Sequence, residues 1–420
     1  MKERIIFHID VNNAFLSWTA VYLLKNGYKK DIRKEPSIIG GDEKSRRGIV
    51  LAKSPIAKKY GVITAETIYS AKKKCPKLEI YPPNYQWYYE KSRELMEYLS
   101  KYSPNFEQFS IDECFLEMTG MNYIYDDLIK LANHIKNEIK ERFGYTVNIG
   151  IGNNKLCAKM ASDFEKPDKV HTLYKNEIVN KLWPLDVGDL FMCGKSTKKE
   201  LNELKIYTIG DLARAPSKTL EKHFKNQGKY LQDAARGIDD SKVEPKTSKN
   251  QSISISKTLP YNYKKKKKIK EVLFRQVEEL SRELRSKEKY TKTIGIILKN
   301  KDFVSYSAQV SLIQPTKNTK EILKNVYQLL DDNYKEDEIR LIGLKFASLT
   351  TTRQEQITLF NIEEVKEDEK EENIQKTMDT INNKYGKSLI KPASLQLLKD
   401  SEHKKKKYYW RNNKNSIKWQ

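Results

Sequence analysis

The chain has 420 residues and carries 79 Lys plus Arg against 56 Asp plus Glu, a formal net charge of +23. Hydrophobic residues make up 38%, enough for several cores, which excludes wholesale disorder, and the length alone suggests two to four domains. No apolar run reaches the roughly 18 residues a membrane-spanning helix needs.

The chain opens M-K-E-R-I-I-F-H-I-D, with no apolar signal-like segment before Asp10, so the expected compartment is the cytoplasm and no membrane partner is expected. Residues 4–10 alternate around Ile5, Phe7 and Ile9 and predict a buried strand. An apolar helix is predicted over 14–24. Residues 36–62 are rich in Gly and Lys, with strand-like I-I-G-G and I-V-L-A pieces. A helix is predicted over 85–102, then two short strands over 106–118 with S-I-D-E between them. Leu128, Leu131, Ile135, Ile139 and Phe143 share one face of a helix over 126–142 that Gly144 ends, and a strand follows over 147–151. This β-α-β-β-α-β order predicts a split βαβ, ferredoxin-like sheet into which residues 14–81 are inserted.

From about residue 176 the character changes. Residues 189–213 predict a short helix, a hairpin at Gly194, a second helix and a turn at Gly210. The pattern suits a helix-hairpin-helix whose backbone amides, around Gly194 and Lys195, grip a phosphate; a plain αα-hairpin would read the same. A polar linker over 239–251 leads to a separate α+β module over 252–352, with helices at 270–286 and 320–334 and strands at 294–298, 304–310 and 342–348. The run Lys264, Lys265, Lys266, Lys267 and Lys268 near its start reads as a solvated loop or as contact with a nucleic-acid backbone. Residues 363–385 predict a solvated helix, followed by a basic, aromatic tail.

The net charge points to a polyanionic partner, most often nucleic acid, although AT-rich coding DNA also enriches Lys. The four cysteines (Cys75, Cys114, Cys157, Cys193) form no C-x-x-C pair and read as reduced thiols. The acids carry more. Asp112 and Glu113 stand side by side in the apolar context F-S-I-D-E-C-F-L, where burying two carboxylates without a cation is costly. If that hairpin pairs with the first strand, Asp10 joins them, and three hard oxygen ligands suit Mg²⁺ with positions open for phosphates and water. The alternative is a pair of solvated turn acids.

Three strings carry a family resemblance: H-I-D-V-N-N-A-F (His8–Phe15), S-I-D-E (Ser110–Glu113) and N-K-L-C-A-K-M-A-S-D-F-E-K-P (Asn154–Pro167). In this order and spacing the chain resembles the Y-family translesion DNA polymerases of the DinB/UmuC (ImpB/MucB/SamB) type, over about residues 5–349. The resemblance implies an α+β right-hand polymerase. Its ferredoxin-like palm would be residues 1–13 and 82–175, with inserted fingers at 14–81 and a helix-hairpin-helix thumb at 176–240. A linker at 241–251, an α+β little finger at 252–352 and a tail at 353–420 would follow. The function implied is template-directed, low-fidelity addition of deoxynucleotides to a primer 3′ end in the SOS response to DNA damage. A catalytically silent DNA-binding or scaffold protein on the same fold is the alternative.

Residue by residue, the resemblance makes Asp10 and Asp112 ligands of two Mg²⁺ ions, Val11 a carbonyl ligand, and Glu113 the third carboxylate, near the primer hydroxyl. Phe15 is similar to the aromatic gate that rejects a 2′-hydroxyl; without the resemblance it reads as a core Phe. Lys166 is similar to the cation that holds the triphosphate. Where the family usually has a Tyr three residues before an Arg, this chain has Pro55 and Lys58, so Lys58 brings a point charge without the bidentate fork. The implied partners are primer-template DNA, dNTP and, in UmuC-like relatives, accessory subunits, around a monomeric enzyme. Finally, Q-I-T-L-F, with Gln356, Ile357, Leu359 and Phe360, resembles the bacterial sliding-clamp-binding motif, an extended peptide for a hydrophobic groove.

Overall fold

The computed structural model describes residues 3–41, 48–244, 251–352, 362–385 and 390. The chain forms two compact units, residues 1–247 and 248–420.

In the first unit the buried strand β1 (Ile6–Val11) leads into α1 (Ala14–Lys25). The insert continues through β2 (Ser37–Gly40), β3 (Val50–Lys53), α2 (Pro55–Lys59), α3 (Ile68–Lys74) and β4 (Glu79–Tyr81). These strands make a small sheet of order β3-β2-β4 with its own apolar cluster around Ile38, Val50, Ala57 and Ile68. Then come α4 (Tyr85–Leu99), β5 (Phe106–Gln108), β6 (Glu113–Glu117), α5 (Leu128–Phe143), β7 (Val147–Gly152), α6 (Lys155–Asp163) and β8 (Val170–Leu173). The helix α5 forms where its pattern predicts: Asp127 accepts the Ile129 and Lys130 amides, and Gly144, at φ 80°, closes the last turn.

The main sheet has the order β5-β6-β1-β7-β8, and the first four strands pair antiparallel throughout. Numbered within the split βαβ, that is 2-3-1-4, the ferredoxin-like order the element sequence predicts. Side chains alternate across a strand, so β1 serves two layers. Phe7, Ile9 and Val11 point into a core with α1, α4 and α5. Ile6, His8 and Asp10 point to the opposite face, which α6 covers. There Gly150 and Gly152 of β7 bring the helix onto the strand: a Cβ on Gly150 would sit 2.0 Å from the Ala158 carbonyl oxygen, and one on Gly152 2.6 Å from the Ala158 amide.

Four short helices complete the unit: α7 (Lys195–Glu203), α8 (Ile209–Arg214), α9 (Ser217–Phe224) and α10 (Asn226–Ala235). Gly194 caps α7, but the short helix expected before it is only a 3₁₀ turn over Val187–Asp189. Gly210 instead lies inside α8, because Thr208 and Asp211 form a capping box at its start and the residue packs on Trp183. Residues 239–244, read as linker, are tied down: Asp239 accepts the Leu156 amide at 3.0 Å, and Val243 is buried beside Ile6 and Phe115.

The second unit runs β9 (Ser252–Tyr263), α11 (Lys266–Ser286), β10 (Tyr290–Asn300), β11 (Ser305–Thr316), α12 (Thr319–Asn333), β12 (Ile339–Thr350) and α13 (Ile362–Tyr385). Its antiparallel sheet has the order β11-β10-β12-β9. One face packs Ile294, Ile296, Ile342, Leu344 and Phe346 against α11 and α12. The lysine run is not a loop throughout: Lys266, Lys267 and Lys268 form the first turn of α11, where Lys266 meets Asp331 at 3.2 Å and Lys268 meets Glu271 at 3.0 Å. The predicted solvated helix, α13, has a docked face: Asp379 receives Arg285 at 2.7 Å, and Arg285 also donates to Gln375 at 3.0 Å.

Candidate active site

The S-I-D-E segment forms the turn between β5 and β6, with the Phe109 and Ser110 amides both donating to the Glu113 carbonyl. Pairing of β1 with β6 sets Asp10 directly opposite Glu113, and the Val11 amide donates to the Asp112 carbonyl at 3.1 Å. The first strand and the hairpin thus bring positions 10, 11, 112 and 113 to one end of the sheet.

The carboxylates turn to different partners. Asp10, 7% exposed, ion-pairs with Lys166, which also meets Asp163 at 2.8 Å. Burial pushes the Asp10 carboxyl up from the usual range, and Lys166 only partly opposes it. Glu113 goes the other way. Burial alone would raise it, but the hydrogen bond from His8 and the charge of Lys159 bring it down to about 2. Its Oε2 lies 3.1 Å from His8 Nε2 and 2.9 Å from Lys159 Nζ. Asp112 accepts the Ser110 hydroxyl at 2.6 Å. Among the described residues no three acid, imidazole or thiol groups form a ready-made metal cage. The donors present are nonetheless hard oxygens at one sheet end, with Lys166 on Asp10 and Lys159 on Glu113 standing where a cation could, and Mg²⁺ characteristically takes one or two carboxylates and completes its shell with water and substrate phosphates. The residues fit such an ion.

Phe15 sits in the first turn of α1, half-buried. Its ring stacks on Tyr88 at 4.8 Å and 14°, and the Tyr88 hydroxyl lies 2.7 Å from Thr19 Oγ1. Asn13, at φ 51°, turns the chain between Asp10 and this ring and donates to the Lys53 carbonyl at 2.7 Å. Pro55 occupies the first turn of α2 behind the Ser54 cap, and Lys58 is exposed on that helix. Lys166 stands at the acids themselves. Gly194 and Lys195 are exposed at the start of α7, and Lys264, Lys265 and Lys267 are exposed where α11 begins. Gln356, Ile357, Leu359 and Phe360 lie outside the described residues.

Sequence reasoning missed His8, Ser162 and Lys159. His8 was within reach, since it lies two residues before Asp10 in an alternating strand and so shares its face. Lys159 and Ser162 depend on where α6 lands, which the spacing of Gly150 and Gly152 decides.

Comparison with known proteins shows the family to which the chain belongs. Residues 9–163 match the impB/mucB/samB family, and residues 250–359 match the impB/mucB/samB family C-terminal domain. The chain is 43% identical over 392 residues to DNA polymerase IV of Clostridium acetobutylicum, covering 92% of this chain and 97% of that protein. It is 36% identical over 399 residues to DNA polymerase IV of Alkaliphilus oremlandii (93% and 98% covered) and 32% identical over 408 residues to DNA polymerase IV 1 of Bacillus subtilis (96% of each). Among solved structures it superposes on a Y-family DNA polymerase chimera, Dbh-Dpo4-Dbh, with a TM-score of 0.71 and 25% identity, covering 83% of this chain and all of that one. Similarity this extensive, at this identity, places the chain in the impB/mucB/samB family: it is a Y-family DNA polymerase of the DinB type.

Proposed function

We propose that this DNA-directed DNA polymerase performs translesion synthesis with Asp10, Asp112 and Glu113 as the residues that carry the chemistry. The observation that supports the assignment most is the register that sets Asp10 against Glu113 and ties Val11 to Asp112. Asp10 and Asp112 would hold two Mg²⁺ ions with the Val11 carbonyl, and Glu113 would face the primer end. When bound, such ions lower the pKa of the attacking 3′-hydroxyl and neutralise charge on the phosphates. The chain's own residues do the rest. Lys166, which pairs with Asp10 and Asp163, would be the cation next to the triphosphate. Lys58 adds a second, weaker contact from α2. Phe15, backed by Tyr88, would stand under the sugar and reject a 2′-hydroxyl by collision.

The domain roles follow the same reading: palm at 1–13 and 82–175, fingers at 14–81, thumb at 176–240 and little finger at 252–352. Backbone amides at Gly194 and Lys195, with Lys264–Lys268, would grip phosphates without reading sequence. Residues 356–360 would engage a sliding clamp. The enzyme would act as a monomer, with accessory subunits optional. No helix among the described residues is long and apolar enough to cross a membrane. The test is primer extension on undamaged and abasic templates. Extension past the abasic site with Mg²⁺, abolished by a chelator, is expected; binding of primer-template without extension under any divalent ion would favour the silent alternative.

A further inference from the structure

His8 is fully buried, 0% exposed, on the face of β1 that carries Asp10. A polar ring so buried costs free energy unless both nitrogens are satisfied, and an apolar residue would fill the space equally well. Both nitrogens have partners. Nε2 lies 3.1 Å from Glu113 Oε2, and because a carboxylate only accepts, Nε2 carries the donated proton. Nδ1 lies 2.8 Å from Ser162 Oγ, a fully buried hydroxyl on α6 whose one proton is shared between Nδ1 and the Lys159 carbonyl, 2.7 Å away. The ring is wedged against Phe115 at 4.7 Å, and Lys155 sits over the Phe115 ring at 4.9 Å. Lys159, one turn before Ser162 on the same helix, takes the same Glu113 oxygen at 2.9 Å.

We infer that His8, locked by Ser162, is a positioning residue that fixes the rotamer of the Glu113 carboxylate and presents its other oxygen, Oε1, to the reacting centre. The two donors on Oε2 come from different elements, β1 and α6, so the carboxylate cannot turn without breaking both bonds. Partners at one remove from a metal-ligating group typically set its orientation, and their loss costs about 10–100-fold in activity or metal affinity. The inference rests on the reading of Glu113 as a site carboxylate.

The variants that test it are His8→Phe, which keeps the ring on Phe115 and removes the hydrogen bond, and Ser162→Ala, which frees Nδ1. His8→Gln, whose amide can still donate, serves as the rescue. Each is compared by kcat and KM for dNTP in primer extension, by Mn²⁺ titration in a complex with primer-template and a non-hydrolysable dNTP analogue, and by thermal melting. The expected result for His8→Phe is a kcat loss of about 10–100-fold with KM nearly unchanged and a parallel weakening of Mn²⁺ binding, partly restored in His8→Gln. Ser162→Ala should move the same two quantities in the same direction, and it decides the matter if His8→Phe fails to fold. Glu113→Gln separates the positioning role of His8 from the site role of Glu113. If it is inactive while His8→Phe and Ser162→Ala keep wild-type kcat and Mn²⁺ affinity, the positioning role is overturned and the reading of Glu113 survives. If Glu113→Gln is itself fully active, both fall. If His8→Phe lowers only the melting temperature, the role is structural and the inference is wrong.

Discussion

Phe15 lies on α1 with its ring flat against Tyr88, whose hydroxyl is in turn held by Thr19. If Phe15 is the gate proposed above, a ring backed this way would not yield to an extra oxygen on the sugar, and discrimination would rest on shape. Phe15→Ala should raise ribonucleotide incorporation by about 10–100-fold relative to deoxynucleotide, the range a shape-based pocket supplies, as read by kcat/KM for the two nucleotides. Unchanged sugar selectivity would place the gate elsewhere. The string H-I-D-V-N-N-A-F points to Phe15, yet nothing in it reveals Tyr88, which is distant in sequence and joined to it only by the packing of α1 on α4. The same limit applies to Glu113. Its place in the turn is legible from S-I-D-E in an apolar hairpin, whereas the partners that hold it ionised come from a strand and a helix far apart in the chain.

The helix α6 delivers Lys159 and Ser162 to the site because β7 offers it two glycines to lie on. Gly150→Ala would drive a methyl into the Ala158 carbonyl at 2.0 Å and the Ser162 amide at 2.4 Å, and both are backbone atoms that cannot step aside. The helix must move, at a cost of about 1–3 kcal/mol. Melting should show that loss, and primer extension should fall with it; a variant that melts like wild type would mean the sheet bends to absorb the methyl. Just beyond the same helix Asp168 joins Lys136 and Lys140 of α5, each at 2.8 Å. Burial alone would raise the Asp168 carboxyl, but those two lysines hold it below its usual value. A lowered folded pKa means stability that is present above the unfolded value, about 3.9, and lost as pH falls through the folded one. Asp168→Asn keeps the left-handed backbone (φ 64°) that Asn tolerates. It should cost about 0.5–1 kcal/mol at neutral pH, a gap that closes below about pH 4 in melting experiments. A gap that persists there would assign the loss to packing.

Over the whole chain, the +23 charge and the division into two units argue for a DNA grip spread over many weak phosphate contacts. The lysine run shows how far composition reaches. Five consecutive lysines announce a basic surface, but Lys266 and Lys268 are engaged by Asp331 and Glu271 because α11 begins inside the run. Lys264 and Lys265 precede the helix and are exposed. Replacing both with Ala should lower the slope of log Kd against log salt by about two, one for each phosphate no longer neutralised, and weaken binding equally on all template sequences. An unchanged slope would remove those residues from the interface. The split βαβ order was legible because its periodic segments are long. The docking of residues 239–244 and of α13 was not, since single residues such as Val243 and Arg285 hold those segments and no repeating pattern marks them. The proposed mechanism as a whole depends on the acids where β1 meets the turn into β6. The most direct measurement is single-turnover primer extension with Mg²⁺ by Asp112→Ala, on protein shown by melting to be folded and by titration to bind primer-template. A loss of at least about 10³-fold is the expected result, given the several kcal/mol that metal-assisted charge stabilisation supplies; a folded, DNA-bound Asp112→Ala that extends primers at the wild-type rate would contradict it.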